Sequence, residues 1–303
     1  MAKQIKQINQ DLQGIETQVL ALSEELKRIY AVYIDHLGTT VRKELVLAVF
    51  NLCTQVAPTD FLALSVRDRE KLQQQLRRLV RDWQKAIPAL VSSPEMIDPE
   101  LAAEQMQAVK SMVEETPLSE VARKVPAALS IEFTIPSAKA DKTELLPPLP
   151  FVAKGAPQTL MIWCEILELR MDSVLLYLSR VVNRELYERK ILVDKVPFKV
   201  YGIAIAAAES KTPSSLAPHL LSLMVEENKD DQKESIAKIT AIRLRLSELE
   251  YASPALSSAR QQIRQLAGGL GKLNKQYQKF QQELTIAEAE TAWRSLWFEE
   301  PDS

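Results

Sequence analysis

The first feature to constrain the fold is a run of apolar residues near the start of the chain. Ile5, Ile8, Leu12, Ile15, Val19, Leu22, Leu26, Ile29 and Tyr33 follow a strict 3-4-3-4 spacing, without a slip. On a helix this spacing places every one of them in a single stripe, the pattern of a coiled-coil seam. The end of the chain repeats it. Leu256, Ala259, Ile263, Leu266, Leu270, Leu273, Tyr277, Phe280, Leu284 and Ala287 hold the same heptad. A helix over 255–298 would be roughly 66 Å long at about 1.5 Å per residue. Helices of that length form the spine of a bundle or a coiled-coil arm.

Between the two stripes the chain reads as further helices. After the first stripe Gly38 offers a break, and Val41, Leu45, Val49, Leu52, Cys53 and Val56 lie on one face of a second helix that Pro58 ends. Ser65 with Asp68 three residues on makes an approximate capping box for a helix to about Ala86. Its apolar face holds Val66, Leu72, Leu76, Leu79, Val80 and Trp83. Its polar face is basic, with Arg67, Arg69, Lys71, Arg77, Arg78, Arg81 and Lys85 against Asp68, Glu70 and Asp82. An acidic stretch follows, and two short helices are expected at about 98–113 and 117–128.

The segment 131–156 changes character. Residues 130–136 alternate like a short strand, and Leu-Leu-Pro-Pro-Leu-Pro at 145–150 cannot be helical inside. We expect a linker here between an N-terminal helical region, 1–130, and a C-terminal one, 157–303. The second region opens with a helix over about 157–190, apolar over a wide arc and so expected at the centre of the core. Residues 191–213 fit either a helix or an extended piece. A helix is expected from about Ser215 to Val225. Ile239, Ile242, Leu246 and Leu249 then step 3-4-3, and with Pro254 as the turn they predict a helical hairpin over 231–298.

The flanks of the first stripe do not specify a parallel homodimer. Positions beside the seam hold Asn9, Glu16, Ser23 and Tyr30 on one side and Gln4, Asp11, Gln18 and Glu25 on the other. Asp11 would face the Glu16 of a second copy, with no opposite charges to compensate. Antiparallel packing of the two heptad helices within one molecule fits better. The expected fold is therefore all-α: an elongated helical bundle with long antiparallel coiled-coil segments from the N- and C-terminal helices, the first arm spanning 3–37.

Composition excludes several function classes. A net charge of −2 gives no whole-molecule attraction to nucleic acid or anionic lipid. The most apolar stretch, Leu160 to Val182, carries Glu165, Glu168, Arg170, Asp172 and Arg180, so it is not expected to span a bilayer. With no apolar leader at the N-terminus, a cytoplasmic protein is expected. The two cysteines, Cys53 and Cys164, sit in apolar helical patterns and read as buried free thiols.

No catalytic signature stands out. His36 and His219 are the only histidines, and neither has carboxylates or thiols at metal-ligand spacing. Glu165 and Glu168 are not followed by a Glu-x-x-His motif, so a di-iron bundle is not supported. Gly268, Gly269 and Gly271 lack the strand and the spacing of a phosphate loop. A hinge or a close helix contact explains them better. Arg77, Arg78 and Arg81 on the basic helix, and Trp293, Trp297 and Phe298 near the C-terminus, are the candidate interaction residues. No cofactor or metal is expected. The leading expectation is a non-enzymatic scaffold or adaptor that binds itself or protein partners through coiled-coil contacts. A peripheral membrane- or filament-associated factor is the alternative, nucleic acid is disfavoured, and an enzyme with a site among the core helices ranks last.

Overall fold

The computed structural model describes residues 2–90, 156–192, 217–227 and 235–297. These are predominantly helical, with long helices and one two-stranded sheet, so the chain is an all-α protein in class. The short helices expected at 98–113 and 117–128 and the strand-like 130–136 lie outside the described residues. So do the linker, apart from Ala156, and nearly all of 191–213.

The first helix, α1 (Ala2–Asn51), is one unbroken rod. At about 1.5 Å per residue it is roughly 75 Å long. The break expected at Gly38 does not occur. A Cβ there would meet Gln84 Cγ at 3.1 Å, so this glycine marks a close approach between helices. α1 ends in a π-helical turn, Leu52–Val56, in which the Ala57 N–H donates to the Leu52 carbonyl at 2.9 Å. Pro58 then opens the short α2 (Pro58–Ala63) at a position where its missing N–H costs nothing.

α3 (Val66–Ala86) starts as the capping box predicts. The Asp68 N–H donates to Ser65 Oγ at 3.1 Å, and Ser65 Oγ donates to Asp68 Oδ2 at 2.6 Å. Leu72, Leu76, Val80 and Trp83 are its buried face. A 3-10 turn, Ile87–Leu90, follows. α4 (Pro157–Glu188) is the central core helix. It buries Leu160, Trp163, Ile166, Leu167, Met171, Leu175, Leu178, Val182 and Leu186 along its length.

Two strands stand where helix was expected. β1 (Leu220–Glu227) and β2 (Ser235–Ile242) pair antiparallel, with Leu220 opposite Ile242 and Glu227 opposite Ser235. The helix expected at 215–225 is thus corrected over Leu220–Val225, and the helical hairpin expected over 231–298 begins only at Leu246. The 3-residue step from Ile239 to Ile242 is not a helical period. Both side chains are buried at the end of a β-branched strand, a setting that favours pleated backbone over the helical propensity of single residues.

α4 holds the hairpin with two polar side chains one turn apart. Asn183 Nδ2 donates to the Ile242 carbonyl at 2.7 Å, and the Ile242 N–H donates to Asn183 Oδ1 at 2.8 Å. The Leu244 N–H donates to Ser179 Oγ at 3.0 Å. Asn183 thus satisfies backbone groups of the strand that would otherwise be buried unpaired.

α5 (Leu246–Ala252) and α6 (Pro254–Trp297) complete the chain. α6 lies antiparallel along α1. Tyr33 meets Arg260, Glu16 meets Tyr277 at 3.2 Å, and Ile8 and Leu12 cluster with Ala287. The two heptad stripes therefore face each other inside one chain. The main core gathers α1, α3, α4, β2, α5 and the first half of α6. A small separate cluster of Ile8, Leu12 and Ala287, with Ile5, Tyr277, Phe280 and Leu284 against it, closes the far end.

Candidate functional site

The densest convergence of ionisable side chains is a buried cluster around Arg260. Four helices supply it: Tyr30 and Tyr33 from α1, Glu168 from α4, Glu250 from α5 and Arg260 from α6. Arg260 Nε donates to Glu250 Oε1 at 2.5 Å, Nη1 donates to Glu168 Oε1, and Nη2 donates to Tyr33 Oη at 2.8 Å. The guanidinium carbon also sits 4.5 Å from the centre of the Tyr33 ring. Tyr30 donates to Glu168 at 2.9 Å and Tyr33 to Glu250 at 2.7 Å. Trp163 closes the group edge-on to Tyr30, with ring centres 5.5 Å apart.

Burial shapes the acid–base behaviour of this cluster. It would by itself lower the Arg260 pKa, but the hydrogen bonds and charge of Glu168 and Glu250 outweigh it and hold the guanidinium more firmly protonated than usual. Both tyrosines are pushed well above the ordinary phenol range, chiefly by burial and further by the carboxylates they bond. Cys164, beside Tyr30, is pushed up to about 12 by burial, and Cys53 to about 11 by the same cause. Both cysteines are free thiols, and neither is an activated nucleophile. Phenols, guanidinium and carboxylates all answer one another, so the cluster works as a latch among four helices.

A second cluster centres on His219, at the entrance to β1. The residue is in the left-handed region, φ 62°, and its backbone N–H donates to Glu248 Oε2 at 2.8 Å. Its buried ring lies between two carboxylates, with Nδ1 3.1 Å from Glu248 Oε2 and Nε2 3.6 Å from Glu44 Oε2. Both distances are of ion-pair length, yet neither nitrogen is aimed for a hydrogen bond. Burial would raise the Glu248 carboxyl, but the nearby His219 ring, the His219 backbone N–H and Arg245 hold it below the ordinary range. Among the described residues no group of three or more His, Cys, Asp or Glu side chains is arranged to hold a metal ion.

A surface cleft of about 400 Å³ lies between α4 and the segment entering α5. Leu169, Asp172, Ser173, Leu176, Arg243, Arg245, Leu246 and Ser247 line it. Carboxylates do not converge in it. Glu168 and Glu250, which could have formed such a pair, are turned instead to Arg260.

The residues singled out in the sequence fall elsewhere. Arg77, Arg78 and Arg81 are exposed on the outer face of α3. Trp293 is 63 % exposed near the C-terminal end of α6. Trp297 is the last residue of α6, and Phe298 lies outside the described residues. α6 runs unbroken through Gly268, Gly269 and Gly271, and a Cβ at each would meet nothing within 4 Å. Close helix contact is therefore not the reason for these glycines.

Sequence spacing gave little sign of the Arg260 latch. Tyr30 occupied a flank of the heptad and Arg260 the position after a seam residue, where both types are ordinary surface residues. The one usable signal was Glu168, a carboxylate inside the most apolar helix. No family model matches the chain, and neither does any curated protein or solved structure.

Proposed function

We propose that this chain is a non-enzymatic helical scaffold or adaptor that acts through protein–protein contacts. The observation that carries this reading is the α1–α6 pair, which forms a rod on the order of 70 Å long with its apolar stripes spent on each other. Such a rod keeps the surfaces along it at fixed separations. Two features support the reading. The ionisable groups that gather around Arg260 saturate one another. The outward faces of α1, α3 and α6 are long, regular and charged. The coiled-coil expectation is recast accordingly: the heptad stripes hold the scaffold together, and partners meet its outer faces. The regions 1–130 and 157–303 act as one unit in this reading, because α1 of the first packs along α6 of the second.

The test is affinity capture from the native cell in the presence of a reversible cross-linker. The full chain is compared with a variant carrying exposed-face changes Leu20→Glu and Val32→Glu, which leave the buried stripe intact. A reproducible partner set that is lost in the variant fits the proposal. Absence of any partner, together with a metabolite that stabilises the protein against heat and is turned over by it, would contradict the proposal.

A further inference from the structure

The turn that joins α1 to α3 is unusual in what it leaves exposed. Eleven large apolar side chains are exposed among the described residues, and six of them fall between Val46 and Val66. They are Val46, Leu47, Phe50, Val56, Leu62 and Val66, and Phe50, Leu62 and Val66 are 56 %, 63 % and 67 % exposed. Val46, Leu47 and Phe50 share one arc of α1, because their spacing keeps them within about a third of a turn. Scattered exposed apolar residues mean little, but a concentration at one reversal of the chain marks a contact surface.

Positive charge brackets this apolar segment. Arg42 and Lys43 are exposed just before it, and Arg67 just after it. From Arg67 the charge continues along α3. Arg67, Lys71, Gln74, Arg78, Arg81 and Lys85 step 4-3-4-3-4, forming one stripe opposite the buried Leu72, Leu76, Val80 and Trp83. Lys71 shares its charge with Asp68 at 3.6 Å. Arg67, Arg78, Arg81 and Lys85 have no carboxylate within ion-pair distance among the described residues. Glu70 and Asp82 lie off the edges of the stripe, Asp60 is the one acid exposed inside the apolar segment, and Glu44 is turned to His219.

We propose that this end of the molecule docks on an anionic lipid surface. The α3 stripe would lie over the headgroups, and Phe50, Leu62 and Val66 would enter the interface. The bilayer boundary supplies both needs at once: phosphate and carboxylate charge in a plane, and an apolar phase directly beneath it. Each Lys or Arg near such a surface contributes, and the sum is screened by salt. A nucleic acid would leave the apolar side chains in water, and an acidic peptide would have to match both patterns. The inference goes beyond the scaffold reading and does not rest on it.

The test is co-sedimentation of the full chain with phosphatidylcholine vesicles, with or without phosphatidylserine, at low and high salt. Binding is expected only to the phosphatidylserine vesicles, strong at low salt and weakened at high salt. Arg78→Gln with Arg81→Gln should weaken it about thirtyfold. Phe50→Ser with Leu62→Ser should weaken it about tenfold. All four positions are exposed, and an unchanged helical circular dichroism spectrum confirms that each variant is folded. No binding at low salt, equal binding to both vesicle types, or unchanged binding by the arginine variant would overturn the proposal. So would capture of single-stranded RNA or polyglutamate by a protein that ignores the vesicles.

Discussion

The two halves of the rod formed by α1 and its terminal π-helical turn live in different surroundings. From Ile5 to Leu26 the seam and Ser23 are covered, and the other residues beside the seam are largely exposed. From Ile29 to Cys53 the covered arc widens, and Tyr30, Tyr33, Ile34, Leu37, Thr40, Val41, Leu45, Ala48 and Leu52 are all buried. The first half has α6 as its main cover. The second is enclosed by α3, α4 and α5 as well, with the Arg260 latch at its centre. A heptad sets which residues point to a neighbour. The number of neighbours is decided by chain far away in sequence. The wide half should therefore carry most of the stability, and the narrow half should behave as an arm.

The largest effect is expected at the latch. Arg260→Leu strips Glu168 and Glu250 of their shared cation in a mostly buried setting and should cost about 3 to 4 kcal/mol in urea unfolding. A loss below about 1 kcal/mol would mean the latch behaves as a surface ion pair, and the contrast between the halves would weaken. Next come matched truncations. Leu37→Ala, fully buried in the wide half, should cost about 3 kcal/mol. Leu12→Ala, in the narrow half, should cost about half as much because the thin arm can relax around the gap. Equal costs would break the comparison.

The glycines of α6 sharpen it further. Gly268, Gly269 and Gly271 lie between Arg260 and Tyr277, which face Tyr33 and Glu16, so they sit where the wide half gives way to the narrow one. With open space at each Cβ, Gly269→Ala should raise the stability by about 1 kcal/mol through helix propensity alone. A loss on this substitution would show that the site needs the flexibility of a hinge. The smallest effect at neutral pH is the tyrosine dependence. Tyr30 and Tyr33 bind their protons more tightly folded than unfolded. Their contribution is complete below the ordinary phenol pKa near 10 and is lost as the pH rises above it. Stability should fall above about pH 10, and Tyr30→Phe should flatten that fall.

Much of this was legible in the sequence. The two stripes, the Ser65 cap, the central helix at 157 and the preference for antiparallel over parallel pairing all follow from spacing, capping chemistry and flanking charge. What was not legible depends on distant contacts. Gly38 reads as a breaker, but it is held in α1 where Gln84 comes close. Ile239 and Ile242 mimic a helical step, but Ile239 pairs with β1 and Asn183 receives Ile242 as strand. Arg260 reads as a surface arginine until Tyr33, Glu168 and Glu250 are brought to it from three other helices.

The central claim is that the heptad stripes pair with each other inside one chain, running in opposite directions. The most direct measurement is cross-linking with a short bismaleimide in a background of Cys53→Ala and Cys164→Ala, with cysteines placed by Glu16→Cys and Tyr277→Cys. The account predicts a rapid link within a single chain, unaffected by dilution, and no link when Tyr277→Cys is replaced by Ala259→Cys. A link formed only between two chains, or one at 259 in preference to 277, would contradict it.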